Sequence, residues 1–422
     1  MKEANYMAMG DKGREIRIAV IGLGSRGVGQ MQTLLQMPDV KTAVVCDVYE
    51  DRVHTAQDEA EKLQGFRPDG TLDYVEAIHR DDIEAVIIMT SWTTHITIAL
   101  EALRAGKRVA MEVGGAASLE ECWALVRESE RTGIPVMMLE NCCYNNEEMA
   151  LLNMIRQGVF GELVHCQGGY EHDLRDEIGE GDINRHYRQE NFLARNGELY
   201  PTHELGPIAK YLNINRGNRM LSLVSMASKS AGLSAWMKEH RQDNPALANA
   251  QVNQGDIVTT MIKCANGETI VLTHDCTLPR PYSRGGRIQG TKGIWMEDGH
   301  GIYIEGRTKA EGGSWAHTFE SDKPYLEEYE HPLWKEYREF GMRGGHGGMD
   351  YLVLRAFVES VQNHTEPPID VYDTAAWMAI TCLSEMSIAM GSMPVAVPDF
   401  TNGRWISRKG GQGGPGGIYA LD

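Results

Sequence analysis

The sequence has no apolar run approaching the ~20 residues that a membrane-spanning helix needs, and no cluster of Lys and Arg. Forty-one basic side chains face fifty-nine acidic ones, a net charge of −18. That balance repels nucleic acid and anionic membrane surfaces, so neither is expected as a partner. There is no Cys-x-x-Cys and no His-Glu-x-x-His, so His172-Asp173 and the scattered histidines lack the spacing of a metal site, and no metal is expected. The eight cysteines fall in apolar surroundings, as reduced core thiols of a cytoplasmic protein would. Residues 1–15 are polar and lack the apolar core of a signal peptide, which also points to the cytoplasm.

What is present begins at residue 16. Residues 16–27, Ile-Arg-Ile-Ala-Val-Ile-Gly-Leu-Gly-Ser-Arg-Gly, read as a buried strand turning into a helix through Gly22-x-Gly24-x-x-Gly27. In such a fingerprint Gly22 makes the tight turn, Gly24 lets the backbone approach a pyrophosphate, and Gly27 permits close helix–strand packing. Asp47 closes a second apolar run, 42–46, twenty positions beyond Gly27. A carboxylate there accepts hydrogen bonds from the adenosine ribose of NAD and repels the extra phosphate of NADP. The cofactor expected is therefore NAD.

Short apolar runs at 85–90, 108–112 and 135–140 alternate with helical stretches. One helix should start at the capping-box pattern Ser118-Leu-Glu-Glu121 and stop at Gly133. This alternation predicts a parallel, doubly wound sheet with ligands at the strand carboxyl ends. Asp47, Trp92, His95, Glu112, Val113, Glu140 and Asn141 all follow those ends. From about residue 141 the pattern changes. A helix at 146–157 leads into a strand at 163–172, and runs at 221–226, 257–264, 269–276 and 285–290 succeed one another with short turns. Ala265-Asn266-Gly267 is a hairpin signal, and such succession favours an open, mostly antiparallel sheet. Helices are expected at 207–212, 349–363 and 375–390, and the glycine-rich 410–417 as a flexible strap. The fold class is α/β, with a Rossmann domain over 1–140 and a substrate-binding and oligomerisation domain over 141–422.

This layout resembles the Gfo/Idh/MocA oxidoreductases, whose second domain carries the substrate pocket and whose exposed sheet face often mediates oligomers. A homo-oligomer is accordingly expected. Dehydrogenases of that family carry Glu-Lys-Pro after the fourth strand, and the lysine assists hydride transfer at a hydroxyl. Here the run is Glu112-Val113-Gly114, and an aliphatic side chain moves no proton.

Further segments resemble glycoside hydrolase family 109, the NAD-dependent α-N-acetylgalactosaminidases. They are Leu139-Glu-Asn-Cys-Cys-Tyr144, Gln157-Gly-Val-Phe-Gly-Glu162, Gly169-Tyr-Glu-His-Asp-Leu174, Leu199-Tyr-Pro-Thr-His203, Leu212-Asn-Ile-Asn-Arg-Gly217 and Gly345-His-Gly-Gly-Met-Asp350. Glu204 stands where that family is expected to have glycine, and Asn145-Asn146 where it tends to be more basic. The resemblance implies transient oxidation of a sugar ring carbon, taken as C3, elimination across C1 and C2, water addition and re-reduction, outside the usual two-carboxylate scheme. It implies that Tyr200, His203, Glu140 and Tyr282 are catalytic. It places the sugar on Tyr170, Arg188, Tyr200, His203 and Tyr282, and the cofactor on Gly22, Gly24, Ser25, Arg26, Gly27, Asp47, Trp92, His95, Glu112, Val113 and Asn141.

Plainer readings stand beside these. Tyr200-Pro-Thr-His203 could be a helix entry capped by Thr202, Glu140 a helix cap, Tyr282 a turn residue, Trp92 and His95 core filling, and His346 part of a mobile glycine loop. The alternative activities are an NAD-dependent sugar dehydrogenase and a non-catalytic NAD-binding regulator or scaffold.

Overall fold

A computed structural model describes residues 13–309, 317–408 and 419–421; the strap expected at 410–417 lies outside them. The chain forms two units, Met1–Ala150 with Glu330–Ala375 and Phe400–Asp422, and Leu151–Tyr329 with Ala376–Asp399. The division thus falls at four places along the sequence, not at one.

In the first unit, strands β1 (Ile16–Ile21), β2 (Val40–Cys46), β3 (Asp69–Thr71), β4 (Ala85–Ile88), β5 (Arg108–Met111) and β6 (Val136–Met138) form one sheet in the order β3-β2-β1-β4-β5-β6. Every pairing is parallel. Such a sheet is covered on both faces, which requires unbroken apolar strands such as Ala85–Ile88, buried throughout. The order reverses between β1 and β4, and ligands of doubly wound sheets bind at that switch point. Helix Leu119–Thr132 begins with both halves of the capping box, Ser118 and Glu121, and ends at Gly133 in the left-handed conformation. The returning helix Met349–Asn363 is tied to this unit by Arg355, whose guanidinium bonds the wholly buried Asp39 carboxylate at 2.7 and 2.8 Å.

The second unit holds a nine-stranded sheet. Its strands are β7 (Leu163–Glu171), β8 (Met220–Ala227), β9 (Ile257–Cys264), β10 (Thr269–Asp275), β11 (Arg287–Gly290), β12 (Gly293–Met296), β13 (Gly301–Ile304), β14 (Glu320–Ser321) and β15 (Val395–Ala396). They lie in the order β14-β13-β12-β11-β7-β10-β9-β8-β15. The β9–β10 hairpin turns through Ala265-Asn266-Gly267, with Gly267 at φ +109°. Among the described residues β7 and β10 are the one parallel pair, with Tyr170 opposite His274 and Glu171 opposite Asp275. That pairing brings two strand carboxyl ends side by side near the middle of an otherwise antiparallel sheet. Alternation along β9 buries Val258, Thr260, Ile262 and Cys264 while Thr259, Met261 and Lys263 face outward.

One helix departs from expectation. Residues expected to be helical from Pro207 belong to a longer helix, Thr202–Tyr211, with Pro207 inside it. Proline favours a first turn, which made it a natural start signal. Here it sits in the interior, where it has no N–H to give the carbonyl of His203 four residues before. Thr202 is not the cap either: Pro201 holds that position, with no side-chain bond.

Candidate functional site

In the first unit the three fingerprint glycines have separate steric reasons. Gly22 adopts φ +93°, and a Cβ there would lie 2.5 Å from the Met89 carbonyl. A Cβ on Gly27 would lie 2.0 Å from the Gly22 oxygen, so its hydrogen sets how closely helix and strand approach. Gly24 faces open space, the nearest atom being Arg52 Nη1 at 3.8 Å. Helix Ser25–Leu34 starts there with no side-chain cap and no acidic residue in its first turn. Its leading N–H groups and dipole therefore suit an anionic group. These residues fit a dinucleotide pyrophosphate.

Asp47, at the end of β2, accepts Leu23 N–H at 2.7 Å and Tyr49 N–H at 3.0 Å. A carboxylate has about four acceptor positions, so capacity remains for ribose hydroxyls. Arg26 is held by two acids. Its Nε donates to Glu112 Oε1 at 2.7 Å, and Nη1 and Nη2 donate to Asp350 at 2.8 and 3.0 Å. Asn141 Nδ2 also donates to Asp350 at 2.7 Å, and His346 Nδ1 lies 2.8 Å from it. Burial alone would raise the Asp350 carboxyl; the His346 hydrogen bond and the Arg26 charge instead hold it well below the usual range.

Trp92 and His95 are both buried, at 2 % and 1 % exposure. His95 opens helix His95–Arg104, its Nε2 lies 3.0 Å from the Thr90 carbonyl, and burial pushes the imidazole down to about 4 despite that bond. The Trp92 ring occupies the space beside Gly114, where a Cβ would lie 2.3 Å from it. Val113, at the position of the dehydrogenase lysine, is buried too. Glu140 is completely buried, and its Oε1 accepts Cys142 N–H at 3.1 Å at the start of the turn Asn141–Tyr144.

In the second unit the paired ends of β7 and β10 carry an aromatic cluster. Tyr170 lies 4.6 Å from Tyr200 and 5.5 Å from His203 between ring centroids, and Tyr200 lies 4.9 Å from His203. Tyr282 joins at 6.4 Å from Tyr170. Arg188 stands over both tyrosine rings, its guanidinium carbon 5.7 Å from Tyr170 and 5.1 Å from Tyr200. Burial opposes the Arg188 charge, but the surrounding phenols and Glu177 outweigh it and keep the group cationic. Burial pushes the Tyr170 phenol up to about 12 against the pull of Arg188.

The loop bearing Tyr282 is fastened by Arg280, which pairs with Glu171 and bonds Asp275 at 3.0 Å, and by Ser283, which exchanges backbone bonds with Glu171 at 3.0 and 3.2 Å. Tyr282 itself remains 48 % exposed. Glu204, the residue after His203, is buried with its Cβ and Cγ against Gly168, where an added Cβ would come within 2.6 Å. The absence of a side chain at 168 therefore makes room for the aliphatic stem of Glu204.

Residues 144–407 match the family model described as glycosyl hydrolase 109, C-terminal domain, and residues 16–139 that of the oxidoreductase family with an NAD-binding Rossmann fold. The chain belongs to glycosyl hydrolase family 109. It is an NAD-dependent glycosidase on a Gfo/Idh/MocA framework. Its relatives include the alpha-N-acetylgalactosaminidase of Tannerella forsythia, 40 % identical over 93 % of this chain and 88 % of that protein. A family 109 protein of Stenotrophomonas maltophilia is 42 % identical over 94 % of this chain and 92 % of its own. Among solved structures, levoglucosan dehydrogenase in complex with NADH and levoglucosan aligns with a TM-score of 0.67 at 18 % identity, over 91 % of this chain and all of that one. Myo-inositol 2-dehydrogenase from Lactobacillus plantarum gives 0.65 at 14 % identity, over 91 % of this chain and all of that one. At such identities these two show a common fold.

In this family 109 chain the sequence did not single out Asp350, which gathers Arg26, Asn141 and His346, although it lies in a quoted segment. Nor did it find Glu177, whose Oε1 accepts Arg188 Nη1 at 2.9 Å. The Arg26 and Asn141 contacts of Asp350 span 324 and 209 positions and leave no spacing signal, whereas His346, four positions before Asp350, was the one local cue to it. The flanking His186 accepts the Arg188 backbone N–H through Nδ1 at 3.3 Å.

Asp47 permits a defined test. Asp47→Asn keeps an acceptor for Leu23 N–H but removes the negative charge, and leaves Arg52, 3.8 Å away, to meet an added phosphate. The expected result is a preference for NAD over NADP reduced by roughly tenfold or more, about 1.4 kcal/mol per decade, in titrations with both cofactors. An unaltered preference contradicts a ribose role for Asp47.

Proposed function

We propose that this enzyme removes a terminal N-acetylgalactosamine-like sugar from a small glycoside by transient oxidation at C3, elimination across C1–C2, water addition and re-reduction. The observation that carries the reading is the cluster of Tyr170, Tyr200 and His203, with ring centroids 4.6–5.5 Å apart beneath Arg188, in a chain with valine at the dehydrogenase lysine position. A relative named alpha-N-acetylgalactosaminidase supports the choice of sugar.

NAD, when bound, supplies the oxidation and the closing reduction. Ser25 and Arg26 lead the helix that receives its pyrophosphate between Gly22, Gly24 and Gly27, Asp47 takes the ribose, and Trp92, His95, Glu112, Val113 and Asn141 complete its surroundings. A ketone at C3 acidifies the C2 proton, which a side-chain base can then take. His203 and Tyr200 divide the work of base and acid, since an imidazole and a phenol three positions apart can pass protons in both directions. Arg188 and Tyr170 hold the sugar, Arg188 offering N–H groups to developing negative charge. Glu140 and Tyr282 complete the catalytic set. The outward-facing Met226 and Met261, 65 % and 51 % exposed, support a homo-oligomer. The eight cysteines, all buried and unbridged, support a cytoplasmic site of action.

In heavy water the released sugar should carry deuterium at C2, with no net change in nicotinamide absorbance across turnover. Released sugar without that label would sink the elimination route, and a steady rise in absorbance would mark a dehydrogenase instead.

A further inference from the structure

Beside Tyr170 stands a residue with no part in the scheme above. His172 follows the end of β7 two positions after Tyr170, so both side chains share one face of the strand. Its Nδ1 lies 3.4 Å from the Tyr170 hydroxyl. Its ring stands edge-on to Tyr170, 5.9 Å between centroids at 82°, and to Tyr282, 5.1 Å at 81°. Burial, then the charge of Arg188, holds the imidazole below its ordinary value, against the opposing pull of Glu177, Asp173 and Asp176. A neutral imidazole that accepts the Tyr170 proton at Nδ1 carries its own proton on Nε2.

The two partners differ in their access to water. Tyr170 is 8 % exposed, while His172 is only partly buried. A proton taken up by a phenol that water scarcely reaches returns to the atom it came from unless a neighbour passes it on. His172 is the imidazole placed to do so. A hydroxyl–imidazole distance of 3.4 Å is long, but such contacts commonly tighten when substrate fills the site.

We propose that His172 is a proton-relay residue that connects the Tyr170 hydroxyl to solvent during sugar turnover. The proton that His203 or Tyr200 takes from the sugar passes to Tyr170 Oη, whose ring packs against both of theirs, the Tyr170 proton passes to His172 Nδ1 and the Nε2 proton leaves to water; the reverse sequence restores the starting state. No electrons move, and the protons gained and lost by the pair are equal. The relay rests on the elimination reading of the preceding subsection.

The test compares C2 labelling per turnover in heavy water for the wild-type holoenzyme, His172→Ala and His172→Gln. Glutamine can still hold the Tyr170 hydroxyl but is a poor proton carrier, so it also serves if the alanine variant fails to fold. The expected result is normal labelling in the wild type and at least about a fivefold fall in label per released sugar in both variants. Added imidazole should restore label in His172→Ala, which a merely structural role for His172 would not produce. Labelling equal to wild type in either folded variant overturns the relay while leaving the elimination route standing. Absence of label from the wild type itself rejects that route, and with it the relay.

Discussion

Tyr200→Phe and His203→Ala should each lower turnover by roughly 10²–10⁴-fold, the usual contribution of a positioned acid or base, while NAD still binds. Tyr200→Phe is the cleaner variant. It keeps the ring beneath the Arg188 guanidinium, 5.1 Å from its centroid, and against Tyr170, and removes only the hydroxyl. A loss of activity then reports proton handling, not packing. His203→Ala also removes a ring that meets Tyr170 and Tyr200 at 5.5 and 4.9 Å, so some stability should go with it. His203→Gln, which keeps more of the volume, separates the two effects. Steady-state rates with saturating NAD, beside cofactor titration of each variant, decide the matter. Wild-type rates in both Tyr200→Phe and His203→Gln would remove these residues from the chemistry.

The second large effect divides two glycines that look equivalent in the fingerprint. A methyl group on Gly24 meets nothing closer than 3.8 Å, and the backbone there has φ −66°, which alanine adopts without strain. Gly24→Ala should therefore fold normally and yet bind NAD at least about tenfold more weakly, a loss of about 1.4 kcal/mol or more, because its methyl fills the room the pyrophosphate needs. Gly27→Ala drives a Cβ to 2.0 Å from the Gly22 oxygen, where only backbone movement relieves the clash. It should cost about 1–3 kcal/mol of stability or more, in the manner of an overpacked core, and lose the cofactor as a consequence. Thermal unfolding without NAD distinguishes them. Equal melting temperatures for the two variants would contradict the steric division of labour.

Much of the first unit was legible because its signals are local. A buried parallel strand must be apolar throughout, a capping box needs residues three apart, and a left-handed helix end calls for glycine; Ala85–Ile88, Ser118 with Glu121, and Gly133 meet these demands within a few positions. The β9–β10 hairpin was readable on the same ground. Pro207 misled because its usual meaning, a helix start, is a statistical preference that the surrounding structure overrode. The bond that orients His95, from its ring to the Thr90 carbonyl, and the burial of that ring are fixed by the packing around it and are encoded by no local pattern.

The sequence by itself determined the cofactor class, the strand–helix alternation and the family, since glycine geometry, hydrophobic periodicity and contiguous motifs act over a few residues. Only the tertiary structure decided how the predicted site side chains meet and which others join them. The parallel pairing of β7 with β10 sets Tyr170 and His172 near Tyr282, and the helix starting at Thr202 brings His203 against the same rings. It also decided that Arg26 is clamped by Asp350 from a helix more than three hundred residues later. Such contacts depend on strand order and chain return, which arise when separate apolar surfaces bury one another and leave no trace in local spacing.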